Sequence, residues 1–133
     1  MKTLQEWLSS RSLDKRLKDI ELVRLKYKDR IPVIVFPMTK DTPDIDAHKF
    51  LVPKDVTVGQ FIHLIRLRIS LKPEQALFVF ATDIDATTGN GAGGGDVLMC
   101  ASDLMQSVYQ RYHNRTDDFL YVVYGIENTF GFL

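Results

Sequence analysis

Gly89-x-Gly91-x-x-Gly94 has the spacing of a dinucleotide-binding fingerprint. That chemistry needs a strand running straight into the first glycine and a helix starting at the last, so that backbone N–H groups meet a pyrophosphate. Here the preceding strand pattern ends near residue 81, polar residues follow, and the next helix pattern starts only at Ser102. No Gly-Lys-Ser/Thr is present, so the stretch is not a P-loop and reads as a surface loop. Asp83-x-Asp85-x-Thr87 opens like a calcium loop, but Thr88 stands where glycine is needed and Gly94 where a bidentate acid is needed. His48, His63 and His113 fall on different elements without ligand spacing, and the single Cys100 cannot build a zinc site. Beside Leu98-Met99, Cys100 reads as a packed small side chain instead of a nucleophile. No G-x-S-x-G or paired-acid constellation occurs, so the sequence argues against an enzyme and for no cofactor or metal. One residue stays open. Gly131 stands before Phe132-Leu133, and it either lets a tail bend or marks a place where chemistry is done to the chain.

The bulk properties narrow the choice. A chain of 133 residues, 45% hydrophobic and 26% charged, is sized and composed for one globular domain with its own core. The formal net charge of zero excludes a molecule that binds nucleic acid by overall charge. Charge is uneven, however: residues 1–30 carry nine Lys/Arg and five Asp/Glu. A basic N-terminal arm could meet acidic partners or anionic lipid, or simply be a set of solvated helix faces. One cysteine allows no internal disulfide and fits a reducing compartment. The opening "MKTLQEWLSSRS" lacks an apolar h-region, and no apolar run approaches the ~20 residues of a membrane span. The expectation is a cytoplasmic protein, in which the Asn114-Arg115-Thr116 sequon is accidental.

The elements follow from periodicity. Residues 3–9 suit a short helix around Leu4, Trp7 and Leu8. Ser12 caps a second helix through Leu13, Leu17, Ile20, Arg24 and Tyr27. "RIPVIVFP" (30–37) is a β-branched strand, "KDTPDIDA" (40–47) a polar turn, and "HKFLVP" (48–53) a short strand. That strand is apolar on both faces, so it is either buried or an edge strand with an uncovered outer side. Thr57 and Gln60 form a capping box before a helix lined by Phe61, Leu64, Ile65 and Arg68-Ile69. "QALFVFA" (75–81) is a strand, 82–96 a glycine-rich loop, 102–113 a helix capped by Ser102, and "DFLYVVYG" (118–125) an apolar central strand. Setting the first two helices aside leaves ββαβαβ. The expected fold class is α+β: a ubiquitin-like β-grasp with a four-stranded mixed sheet and two additional N-terminal helices. The expected divisions are a helical extension at 1–28, a core at 29–125 with the 82–96 loop inserted, and a C-terminal tail at 126–133.

The stretches "RIPVIV", "KFLVPKDVTVGQFIHLIRLRI", "FLYVVY" and "ENTFG" together resemble the autophagy-related ubiquitin-like modifiers, of the GABARAP and microtubule-associated light-chain type. The resemblance runs from about residue 12 to the end. It implies that a cysteine protease cuts after Gly131, with Thr129 and Phe130 held in the processing clefts. E1-like and E2-like enzymes then pass the new carboxylate to phosphatidylethanolamine, which places the protein in the cytoplasm and, once conjugated, on autophagosomal membranes. It also implies receptors whose aromatic-x-x-aliphatic motif adds a strand to the second strand's edge. The implied aromatic pocket is Asp19, Val23, Pro32, Ile34, Lys49, Leu51 and Phe119. The implied aliphatic pocket is Phe50, Val52, Pro53, Val56, Phe61, Leu64 and Ile65, with Arg68 beside it to pair with partner acids. A different reading is a non-conjugated adaptor that uses the same surface for short peptide motifs, or binds the cytoskeleton through the basic first helices. Two departures stand out: Asp46-Ala47-His48-Lys49 is less basic than the family's run, and the glycine-rich stretch is inserted.

Overall fold

The structure is a computed structural model, and it describes residues 3–85 and 95–128. Its elements are α1 (Leu4–Ser10), α2 (Leu13–Lys26), β1 (Arg30–Pro37), β2 (Lys49–Pro53), α3 (Val58–Arg68), β3 (Gln75–Thr82), β4 (Asp96–Leu98), α4 (Met105–Tyr112) and β5 (Leu120–Asn128). One mixed sheet runs in the order β2-β1-β5-β3-β4, with the β1–β5 pair parallel and the other pairs antiparallel.

The sheet separates two apolar layers. Along β1 the side chains alternate: Val33 and Val35 join Phe61 and Ile65 of α3 on one face, while Ile34 and Phe36 join Ile20 and Val23 of α2 on the other. This is why the run 31–36 is apolar throughout. Pro32 is tolerated because the ladder with β5 begins only at Val33, so no partner needs its missing N–H.

The N-terminal helices are anchored on the second face. Thr3 and Glu6 form a capping box for α1, and Ser12 caps α2 by accepting from the Lys15 N–H. The Trp7 ring lies 5.7 Å from Phe36 and 6.3 Å from Tyr121. Below α2, the fully buried carboxylate of Asp117 accepts from the Tyr121 hydroxyl at 2.5 Å and from the Phe119 N–H at 3.0 Å. Arg16 Nε lies 3.3 Å from the same carboxylate but makes no aligned hydrogen bond, so that contact is coulombic. Arg24 adds an ion pair to Asp118, which adopts φ 63°.

Three expectations are corrected. Among the described residues the sheet has five strands, not four: Phe80–Thr82 pair antiparallel with Asp96–Leu98, which puts a short new edge beside β3. The fourth helix begins at Met105, not after Ser102. The approach is a turn, closed by Asp103 N–H donating to the Cys100 carbonyl and pinned by Val58 and Gly59 N–H donating to the Asp103 and Ala101 carbonyls, and Met105 N–H donates to the Val56 carbonyl. Cys100 is exposed, because Met99 takes the inward position. In addition, β5 continues to Asn128, since Ile126–Asn128 pair with Gln75–Leu77.

Candidate functional site

β2 lies at the end of the sheet, and among the described residues nothing pairs with its outer side. Which of its backbone groups face outward follows from register. Val35 N–H donates to the His48 carbonyl at 2.7 Å, so Val33–Phe50 and Ile31–Val52 are also the hydrogen-bonded pairs of the ladder. Lys49, Leu51 and Pro53 therefore turn their main chain away from β1. The edge turns outward two N–H groups, from Lys49 and Leu51, and three carbonyls, of which that of Pro53 already accepts from the Val56 N–H at 3.3 Å. Arg30 Nη1 donates to the Leu51 carbonyl at 3.4 Å, covering one of them.

The side chains of β2 split between a packed cluster on the α2 face and a groove on the α3 face. On the α2 face, the seven residues expected to form an aromatic pocket come together. Val23, Ile34 and Phe119 belong to one buried cluster, with Leu51 packed against it and Pro32 opposite Leu51 in register. Phe119 and Ile34 are essentially inaccessible, so they form the floor, whereas Leu51 is partly exposed. Lys49 Nζ lies 5.8 Å from the Phe119 ring centroid and 3.5 Å from the Asp19 carboxylate. Arg11 Nε donates to the same carboxylate at 3.0 Å. Desolvation alone would push the Asp19 carboxyl up; the Arg11 hydrogen bond and the Lys49 charge outweigh it and hold the group below the usual carboxylate range.

On the α3 face a groove of about 270 Å³ is lined by Phe50, Leu51, Val52, Pro53, Val56, Phe61 and Leu64. These are the expected aliphatic residues, with Leu51 shared between cluster and groove. Ile65 lies fully buried and contributes to the core behind the groove. The Phe50 and Phe61 rings meet edge to face at 6.1 Å. Gln60 also lines the groove; the sequence marked it only as half of the Thr57 capping box, which it also completes. Arg68 stands over the Phe50 ring at 5.3 Å and donates to Asp46 at 3.2 Å. Its charge thus already has a partner, on a residue that sequence reasoning had marked only as a departure.

The other chemistry-bearing residues do not converge. Asp83 accepts from the Asp85 N–H at 2.9 Å, and Asp85 accepts from Asn114 Nδ2 at 2.8 Å, so both carboxylates hold the loop base. His48 Nδ1–H donates to the Val35 carbonyl while its ring stacks on Phe36, and His113 Nδ1–H donates to the Tyr109 carbonyl. Cys100 Sγ lies 4.0 Å from Ser102 Oγ. Among the described residues no group of three or more His, Cys, Asp or Glu is arranged to hold a metal, and no helix is long and apolar enough to cross a membrane. Thr129, Phe130 and Gly131 lie outside the described residues.

Comparison with known proteins adds a second line of argument. The family model described as autophagy protein Atg8, ubiquitin-like, matches residues 15–131. Autophagy-related protein 8 of Mycosarcoma maydis is 45% identical over 121 residues, covering 90% of this chain and 91% of the relative. Autophagy-related protein 8d of Arabidopsis thaliana is 44% identical over 120 residues, covering 90% and 88%. The crystal structure of Trypanosoma brucei ATG8 superposes with a TM-score of 0.76 at 35% identity, over 95% of this chain and 97% of that one.

Proposed function

The chain belongs to the Atg8 family of ubiquitin-like autophagy proteins, and from that premise we propose how this ubiquitin-like modifier is used and by which residues. A cysteine protease cuts the Gly131–Phe132 bond after gripping Thr129 and Phe130. The freed Gly131 carboxylate is activated by an E1-like enzyme, passed to an E2-like enzyme and joined as an amide to phosphatidylethanolamine. Glycine suits that passage because a residue without Cβ threads narrow clefts and leaves its carbonyl open to attack. The attached acyl chains then hold the domain on the autophagosomal membrane, since each buried methylene contributes about 0.8 kcal/mol. The chain is in this scheme a substrate of enzymes and not itself an enzyme.

The domain divides into the α1–α2 extension, the ubiquitin-like core with its inserted loop, and a processing tail. Its working surface is the β2 rim. Receptors bearing an aromatic-x-x-aliphatic motif add a strand along Lys49–Pro53. The aromatic side chain enters between α2 and β2, over Val23, Leu51 and Phe119, and the aliphatic one enters the groove of Phe50, Pro53, Val56 and Leu64. The observation that carries this reading is the β2 edge, unpaired among the described residues, with an apolar cluster on its α2 side and an apolar groove on its α3 side. The test is mass spectrometry of the full chain after its processing protease has acted. Loss of Phe132-Leu133 alone supports conjugation through Gly131, and an unchanged mass overturns it.

A further inference from the structure

Away from the β2 edge, α2, the start of β1 and α4 enclose a separate recess of about 240 Å³. Its floor is apolar: Ile20, Val23 and Ile31 are each less than a tenth exposed, and Pro32 is buried. Its rim is cationic, with Arg24, Lys28, Arg30 and Lys54 around the opening, and none of its twelve lining residues is an Asp or Glu. Arg24 is paired with Asp118, and Lys54 lies at 4.0 Å from the almost fully exposed Asp29. Among the described residues, no carboxylate lies within ion-pair distance of Lys28 or Arg30. The far wall, Gln106 and Gln110 of α4, belongs to neither the cluster nor the groove beside β2.

An apolar floor under a rim on which Lys28 and Arg30 have no carboxylate partner among the described residues is complementary to one kind of guest: an apolar side chain set between acidic residues. The volume admits one or two such side chains, not a lipid surface, because a bilayer is flat and this opening is concave. The recess is also continuous with the β2 site, since Val23 and Pro32 contribute to both and Arg30 reaches from one to the Leu51 carbonyl of the other. We propose that this recess is a second peptide-docking site, taking a leucine-like side chain flanked by Asp and Glu from an acidic polypeptide segment. It goes beyond the aromatic-x-x-aliphatic reading and does not require conjugation at Gly131.

The test is a titration of the full, isotopically labelled chain, followed by amide chemical shifts. The probe is the capped peptide Glu-Asp-Glu-Leu-Asp-Glu. The expected result is saturable movement of the Tyr27, Gln106 and Gln110 amides, with affinity about fivefold weaker in the Lys28→Glu variant and falling as salt is raised. Lys28 is exposed, so that variant keeps the fold. Equal binding of the peptide with serine in place of leucine overturns the proposal, as does movement confined to Lys49–Pro53. Vesicles of phosphatidylcholine with phosphatidylserine form a further arm: if they move the α4 amides and the peptide does not, the site is a lipid site and the proposal fails. A separate titration with an aromatic-x-x-aliphatic peptide, read at Lys49 and Leu51, reports on the β2 reading alone.

Discussion

Strand addition at β2 makes a prediction whose pattern, and not only its size, comes from the register. Lys49 and Leu51 each turn an N–H and a carbonyl outward, whereas Pro53 has no N–H and its carbonyl already accepts from Val56. A guest strand therefore gains up to four main-chain hydrogen bonds with Lys49 and Leu51, and only every second guest residue makes them. The perturbation is N-methylation, one backbone amide at a time, along an aromatic-x-x-aliphatic peptide. Methylating the guest amide that faces the Lys49 carbonyl removes one donor, leaves that carbonyl unsatisfied and pushes a methyl group into the inter-strand gap, whereas the Leu51 carbonyl keeps Arg30. A net hydrogen bond contributes about 1 kcal/mol and an orphaned acceptor costs a similar amount. The expected loss is about 2 kcal/mol, or roughly thirtyfold in Kd. Methylation of the intervening amides, which point to solvent, should change Kd by less than about threefold. Isothermal titration calorimetry on the series reads the alternation directly. A flat profile, with every methylated peptide binding like the parent, would refute main-chain pairing at this edge and leave only side-chain contacts.

The remaining predictions use single residues. Leu51→Ala truncates the side chain shared by cluster and groove and should weaken the unmodified peptide by about tenfold in the same calorimeter. Gly131→Ala should abolish membrane flotation of the chain from cell extracts while leaving its circular dichroism unchanged. Asp117→Asn leaves Arg16 without its buried counter-charge and weakens the acceptor for Tyr121; urea unfolding should show a loss of about 3 kcal/mol. Because the folded-state pKa of Asp19 is lowered, its contribution to stability is full above the unfolded carboxylate range and is lost as pH falls through the folded value. Asp19→Asn should accordingly flatten the acid side of the stability–pH curve measured by chemical denaturation.

What the sequence disclosed and what it withheld divide along physical lines. The Thr57–Gln60 box and the run 31–36 depend on neighbours in the chain, and both stand where the pattern put them. β4 has no such signal. Its three residues are all exposed, and it exists only because the chain returns in register beside Phe80–Thr82. The start of α4 was hidden for a related reason, since backbone bonds from Val58 and Gly59 of the α3 region hold residues 100–103 in a turn ahead of the helix. Within the candidate site, the apolar residues were legible through the family's spacing. The partners that set its charge were not: Arg68 meets Asp46, and Arg11 meets Asp19, through tertiary geometry that no local pattern encodes.

The Arg30 contact with the Leu51 carbonyl has a consequence for crowding. Copies tethered to one vesicle would be concentrated in two dimensions, where bare strand margins tend to zip to each other. Here that margin is short, ends in a proline without a donor, carries the charge of Lys49, and has one acceptor screened by a guanidinium. Two identical margins would have to displace both arginines, and paired in parallel they would bring lysine against lysine, while a single peptide has to displace only one arginine. Self-association is thereby disfavoured without closing the surface to guests.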